Sequence, residues 1–249
     1  MPVTGSEWQG VRYGCTTRTG GVSQGPWGEL NLATHVGDDP LAVAENRRRL
    51  RRELPAEPYW LNQVHGNRVV EVVEAQAEHV PPEADAAVTT TPGVVLAVMT
   101  ADCVPVVVAD MQGRAVGVAH AGWRGLACGV LEVTVDALRA LIPGNDAWRA
   151  WVGPCIGQPN FEVGQEVREA FVTSDETLAA YFIPGNMTGK WHADLAGLAR
   201  HRLVANGVHT VELARQCTYK CDKLFHSYRR QSVCGRMATL AWLSSANQC

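Results

Sequence analysis

Short runs of β-branched and aliphatic residues, separated by turn residues, set the rhythm of this chain. Val94 to Met99, Val104 to Ala109 and Ala115 to Ala119 follow one another closely, each five or six residues long. Runs of that length, bounded by turn residues, predict buried strands. Gln112-Gly113 suits a hairpin turn between the last two. The same reading predicts strands over Gly10 to Thr17, Tyr59 to Val64, Arg68 to Val73, Asp85 to Thr89, Trp148 to Gly153, Val211 to Ala214 and Met237 to Leu243. Helices are predicted where the apolar spacing widens. One runs from about Leu41 to Leu54 behind Asp38-Asp39-Pro40, with arginines at its back, as the helix dipole prefers. A second spans Trp123 to Leu141 with Leu126, Val130, Val133, Ala137 and Leu141 as its apolar stripe, and Pro143-Gly144-Asn145 stops it. Phe161 to Gly164 introduces a third through Val172. A fourth covers Leu195 to Val204 and ends at Asn206-Gly207. Strands arrive in turn-linked runs rather than alternating with helices. That predicts an α+β fold with mixed or antiparallel sheets. No repeat, low-complexity tract or linker interrupts residues 1–249, which read as a single domain.

Composition narrows the function classes. A net charge of -3 gives no footing for nucleic acid or an anionic membrane surface. The basic run Arg47-Arg48-Arg49 and Arg51-Arg52 has no aromatic pattern beside it and reads as a solvated helix face. No apolar stretch approaches the ~20 residues of a membrane helix. The N-terminus lacks a basic segment followed by an apolar one, so a cytoplasmic location is expected. The eight cysteines are scattered, as free thiols in a reducing compartment would be. Cys217 and Cys221 have no second Cys/His pair at metal-knuckle spacing and read as plain thiols. With no coiled-coil seam, the chain is expected to be a monomer or a weak homodimer.

Candidate chemistry gathers at strand ends. Asp102-Cys103 sits between two apolar runs, His120 ends a third, and His65 lies in a polar turn after Asn62 and Gln63. The intervals of 38 and 17 residues match no finger or ribbon, and taken singly each residue reads as ordinary. Placement at strand ends is what brings them forward. Two imidazoles and a thiolate suit Zn, with a fourth position left for water. The same residues serve a metal-free scheme, with Cys103 as nucleophile, His120 as base and Asp102 or an Asn/Gln side chain as orienter. Gly122-Trp123-Arg124-Gly125 opens a helix and offers an anion contact, with Arg229 in reserve.

Asn62-Gln63-Val64-His65-Gly66, Thr100-Ala101-Asp102-Cys103-Val104-Pro105, His120-Ala121-Gly122-Trp123-Arg124-Gly125, Gly153-Pro154-Cys155-Ile156-Gly157, Phe161-Glu162-Val163-Gly164 and Phe225-His226-Ser227-Tyr228-Arg229-Arg230 together resemble the YfiH-type proteins. These are also called the laccase-domain, polyphenol oxidoreductase or purine nucleoside phosphorylase family. The resemblance runs in order over nearly the whole chain. Gln231, Ser232 and Cys234 depart from it, standing where many relatives have Asp, Gly and Thr. It implies a layered α/β/β/α fold, shared with the cytotoxic necrotizing factor-like cysteine deamidases. It also implies a metal, Zn or alternatively Cu, on His65, Cys103 and His120. The implied activities are phosphorolysis of adenosine, inosine and methylthioadenosine, with adenosine deamination. The alternatives are copper-dependent phenol oxidation and Cys/His amide hydrolysis in the editing of cell-wall (peptidoglycan) precursors. On this reading Cys103, His120, Asp102 and Arg124 are catalytic, and Asn62, Gln63, Gly122 and Arg229 contact the substrates, a nucleoside and phosphate. The chain has eight histidines and no His-x-His pair, which ranks multicopper chemistry low.

Overall fold

The strand runs fold into two packed sheets faced by helices. A computed structural model describes residues 2–74 and 80–244. Cys249 lies outside them, and the cysteines within them are free thiols. In order come β1 (Val11–Cys15), α1 (Pro40–Arg51), β2 (Pro58–Tyr59), β3 (Val69–Glu71), β4 (Ala86–Thr89), β5 (Val95–Thr100), β6 (Val104–Asp110), β7 (Val116–Ala121), α2 (Trp123–Ala127) and α3 (Val130–Leu141). Then follow β8 (Trp148–Val152), β9 (Glu162–Gly164), α4 (Gln165–Val172), β10 (Phe182–Pro184), β11 (Lys190–Ala193), α5 (Leu195–Ala205), β12 (Thr210–Leu213) and β13 (Met237–Leu243).

One sheet runs β1-β13-β5-β2 and the other β12-β8-β6-β7-β4-β3, with β10-β11-β9 as a small third. Most pairings are antiparallel; β2 with β5, β3 with β4 and β12 with β8 are parallel. Side-chain alternation builds the layers. Leu96 and Val98 of β5 point into a core shared with Val107 and Ala109 of β6, Val116 and Val118 of β7, and Trp151. Val95, Ala97 and Met99 point the other way, onto Leu50 and Leu54 from α1 and its following turn. On the far side, Val104, Val106 and Val108 meet Leu131, Val135 and Leu138 of α3 and Leu198 and Leu203 of α5. The order is therefore helix, sheet, sheet, helix, as the α/β/β/α expectation has it. No helix among the described residues is long and apolar enough to cross a membrane.

Several local expectations need correction. The helix predicted over Trp123 to Leu141 is two helices, because Gly129 takes φ 88 between them. That left-handed residue resets the helical phase. The buried face of α3 is Val130, Leu131, Thr134, Val135 and Leu138, whereas Val133, Ala137 and Leu141 of the predicted stripe are half-buried. The Tyr59 to Val64 strand shrinks to Pro58–Tyr59. Beyond it the Gln63 side chain takes over the pairing: its amide donates to the Met99 carbonyl at 2.9 Å and accepts from the Met99 N–H at 2.7 Å. Phe161 to Gly164 contributes the short strand β9, and β10 and β11 were not foreseen. Arg47 is half-buried rather than solvated, stacked 4.3 Å from the Trp60 ring and donating to the Leu32 carbonyl. Arg48 and Arg49 pair with Glu45 on the exposed face, as solvated arginines do.

Candidate metal centre and its pocket

Asp102-Cys103 carries the chain from the four-stranded sheet to the six-stranded one, between the end of β5 and the start of β6. Asp102 makes that crossing in the left-handed region, at φ 95. A non-glycine residue held there signals a position over-determined by its surroundings. The clamp is visible: its carboxylate accepts from Thr218 Oγ1 at 2.6 Å, Ser227 Oγ at 3.0 Å and the Arg229 N–H at 2.7 Å. Pro105 stands opposite His120 across the β6–β7 pairing, which brings Cys103 and His120 to the same sheet end.

His65 arrives from the loop between β2 and β3, also left-handed at φ 60. Asp85, the residue before β4 and fully buried, holds it. The Asp85 carboxylate accepts the N–H groups of Val64 at 3.2 Å, His65 at 3.0 Å and Gly66 at 2.7 Å. The same carboxylate lies 2.8 Å from His120 Nδ1, and the Asp85 carbonyl accepts the His120 N–H at 2.7 Å. One carboxylate thus sets both histidines. The orienter is Asp85, not Asp102, whose oxygens are committed to the C-terminal loop. Sequence reading passed over Asp85. Its one signal was a lone carboxylate opening a fully buried strand, a placement that demands partners.

The ligand atoms of His65, Cys103 and His120 all lie within 4.8 Å of one another. Cys103 Sγ is 3.9 Å from His65 Nε2. Tetrahedral ligands around Zn are separated by roughly 3.5 Å, so a small inward movement would close the set. With Nδ1 facing Asp85, His120 turns Nε2 inward, the arrangement in which a carboxylate orients a ligating histidine. Thiolate and imidazole donors suit Zn or Cu. Gly122 leaves the room this needs, since a Cβ there would stand 2.7 Å from the His65 ring and 3.1 Å from Cys103 Sγ. Gly125 packs as closely against the Gly66 carbonyl, at 2.8 Å from a Cβ. These glycines serve close approach, and α2 is only five residues long. Among the described residues this is the one His/Cys/Asp/Glu group of three or more placed to hold a metal.

Electrostatics favours a charged pair. Burial pushes the Cys103 thiol up, but the charge of His120 and hydrogen bonds from His120 and His65 outweigh it and bring it down to about 6. For His120, burial pushes down, while Cys103 and Asp85 prevail and raise it to about 9. Asp85 is held below the ordinary carboxylate range: burial opposes this, and the His120 hydrogen bond and loop N–H groups win.

The triad opens on a cavity of about 460 Å³. Asn62, Gln63, His65, Asp102, Cys103, His120, Arg124 and Arg229 line it, as do His35, Thr100, Trp123, Phe161, Tyr228 and Arg236. Gly122 lies behind the triad rather than on the wall. Both ends of the Gln63 amide are spent on Met99, so Gln63 shapes the wall. His35 and Arg236 are pocket residues that the sequence did not reveal, being brought in by loops far apart in the chain.

Comparisons with known proteins place the whole chain among its relatives. The family model described as "multi-copper polyphenol oxidoreductase laccase" matches residues 12–244. A Pseudomonas aeruginosa protein named purine nucleoside phosphorylase is 51% identical over 233 residues, covering 94% of this chain and 93% of its own. The Escherichia coli purine nucleoside phosphorylase YfiH is 47% identical, covering 94% and 95%. A Neisseria meningitidis crystal structure superposes with TM-score 0.89 at 44% identity, over 98% of this chain and 97% of that one. A Bacillus licheniformis YfiH structure reaches TM-score 0.88 at 29% identity, over 94% and 93%. This chain belongs to the YfiH-type, laccase-domain family.

Proposed function

We propose that this protein is a metal-dependent purine nucleoside phosphorylase. Its substrates are adenosine, inosine and methylthioadenosine, Zn is its metal, and adenosine deamination is a second activity. The observation that carries the reading is the His65–Cys103–His120 cluster opening on an arginine-lined cavity of about 460 Å³. That volume falls within the roughly 300–1,000 Å³ of small-molecule sites. The names of the close relatives point the same way.

In phosphorolysis the bond between the sugar anomeric carbon and the purine nitrogen breaks, and its electron pair leaves with the base. A phosphate oxygen bonds to the anomeric carbon, giving a sugar 1-phosphate. When bound, the metal supplies Lewis-acid stabilisation of developing negative charge. His65, Cys103 and His120 would hold it, with Asp85 fixing the proton of His120 on Nδ1. Trp123, Phe161 and Tyr228 offer aromatic faces for a purine. The guanidinium groups on the wall offer donors for phosphate. The test combines metal content with phosphate-dependent release of hypoxanthine from inosine. Base release with about one equivalent of Zn supports the reading. Less than about half an equivalent of Zn or Cu with activity intact removes the metal.

The Cys103–His120–Asp85 chain favours one alternative, amide hydrolysis of cell-wall precursors with Cys103 as nucleophile. There a chelator leaves activity unchanged and a thiol alkylator abolishes it. Copper-dependent phenol oxidation predicts oxygen uptake with a phenol only after copper loading. A single three-ligand site among the described residues does not furnish the several coppers of a multicopper oxidase.

A further inference from the structure

Three arginines line the cavity, and they are not equivalent. Arg124 lies 4.4 Å over the Trp123 ring, and among the described residues no hydrogen bond fixes its side chain. Arg229 and Arg236 are each pinned by one terminal nitrogen. Arg229 Nη1 donates to the Glu162 carbonyl at 2.7 Å, with the guanidinium 5.1 Å from the Phe161 ring. Arg236 Nη1 donates to the carbonyls of Cys234 at 2.9 Å and Gly235 at 3.0 Å, with the guanidinium 5.9 Å from the Tyr228 ring. Among the described residues, neither Nε nor Nη2 of either side chain has a protein partner, and both side chains face the cavity.

Their backbones are fixed as firmly. The Arg229 N–H is held by Asp102, next to the Cys103 ligand. The Arg236 N–H donates to Asn31 Oδ1 at 3.0 Å. Asn31 is fully buried in a network with Ala33, Asp38 and Asn46. The Asp102 carboxylate on the wall is turned to Thr218, Ser227 and the Arg229 N–H, and among the described residues neither guanidinium donates to it. Two anchored forks with spare donors facing one cavity offer a preorganised site for a tetrahedral dianion.

We infer that Arg229 and Arg236 form the phosphate subsite, and that Arg124 does not. The ligand is inorganic phosphate or the phosphate of the sugar 1-phosphate product. The inference deepens the phosphorylase reading and rests on it for the identity of the anion.

The experiment uses the full-length, metal-replete protein and its Arg229→Gln and Arg236→Gln variants, with Arg236→Lys to preserve charge without the fork. Calorimetry measures binding of inorganic phosphate, and inosine phosphorolysis gives separate KM values for phosphate and inosine. Ribose 1-phosphate in the reverse direction tests the esterified anion. The inference expects each Gln variant to weaken phosphate binding and raise the phosphate KM at least about tenfold, with the inosine KM within about twofold. Arg236→Lys should recover only part of the loss. Normal inosine affinity certifies that a variant is folded. Wild-type phosphorolysis with an unchanged phosphate KM in both Gln variants overturns the subsite and leaves the phosphorylase reading standing. Phosphate binding lost in the variants, without phosphorolysis in the wild type, supports the subsite and overturns that reading. No phosphate binding by the wild type overturns the subsite outright.

Discussion

At the scale of single residues, Asp85 controls more of the site than any metal-type ligand does. It holds the His65 loop by three N–H groups and His120 by Nδ1. Asp85→Asn keeps the shape but loses the charge and one acceptor. It should lower kcat/KM roughly 10- to 100-fold and weaken Zn binding by a similar factor, read by steady-state kinetics and competition with a chelator. Cys103 offers a second check. Its thiol is drawn down to about 6, so the charged form dominates at neutral pH. In chelator-stripped protein, alkylation by iodoacetamide should rise through a midpoint near pH 6 and be flat above it. A midpoint near the free-thiol value of roughly 8.5 would mean that His120 does not stabilise the thiolate. The metal-type triad was legible in the sequence because each member ends an apolar run. Asp85 was not, because a carboxylate's partners come from elsewhere in the chain. His35 and Arg236 were hidden for the same reason.

Among the elements, strands were the most readable and helix phase the least. The runs at β5, β6 and β7 are so short and so apolar that their existence and approximate ends follow from pattern alone. The predicted single helix failed at Gly129, where one left-handed residue outweighs an otherwise continuous apolar spacing. The consequence is testable by mutation. Leu138→Ala empties a fully buried position on α3 and should cost about 2–5 kcal/mol, measured by denaturant unfolding. Val133→Ala, from the predicted stripe but half-buried, should cost clearly less. Equal costs would restore the continuous-helix phase. The small sheet of β9, β10 and β11 escaped notice because its strands are only three or four residues long. Strands that short leave almost no period to read.

For the whole molecule, packing places one histidine at a disadvantage. His226 is buried, and among the described residues neither ring nitrogen has a hydrogen-bond partner. Burial, then the charges of Arg18, Arg236 and Arg230, lower it to about 3. Between there and the ordinary value near 6.5, the unfolded chain holds a proton that the folded one refuses. Stability should therefore fall as the pH is lowered through this window, by up to about 1.4 kcal/mol per pH unit from this group. His226→Leu should flatten that part of a plot of Tm against pH. An unchanged slope would assign the acid sensitivity to other groups. The α+β class and the mixed, largely antiparallel sheets were legible from the order of the runs. The two-sheet layering came from family resemblance, because a run buried on both faces does not say which sheet it joins.

The Asp102 clamp reaches across 116 and 125 residues to Thr218 and Ser227, and the last strand, β13, runs between β1 and β5. During synthesis, then, Cys103 is made long before Thr218 and Ser227, which fix the Asp102 turn beside it, and before β13, which fills the middle of its sheet. A chain cut after residue 210 lacks both the clamp donors and β13, and in it Cys103 should be a common thiol, alkylating with a midpoint near roughly 8.5. The drawn-down sulfur is thus expected to belong to the finished fold, and incomplete copies of the chain to present an ordinary thiol at that position.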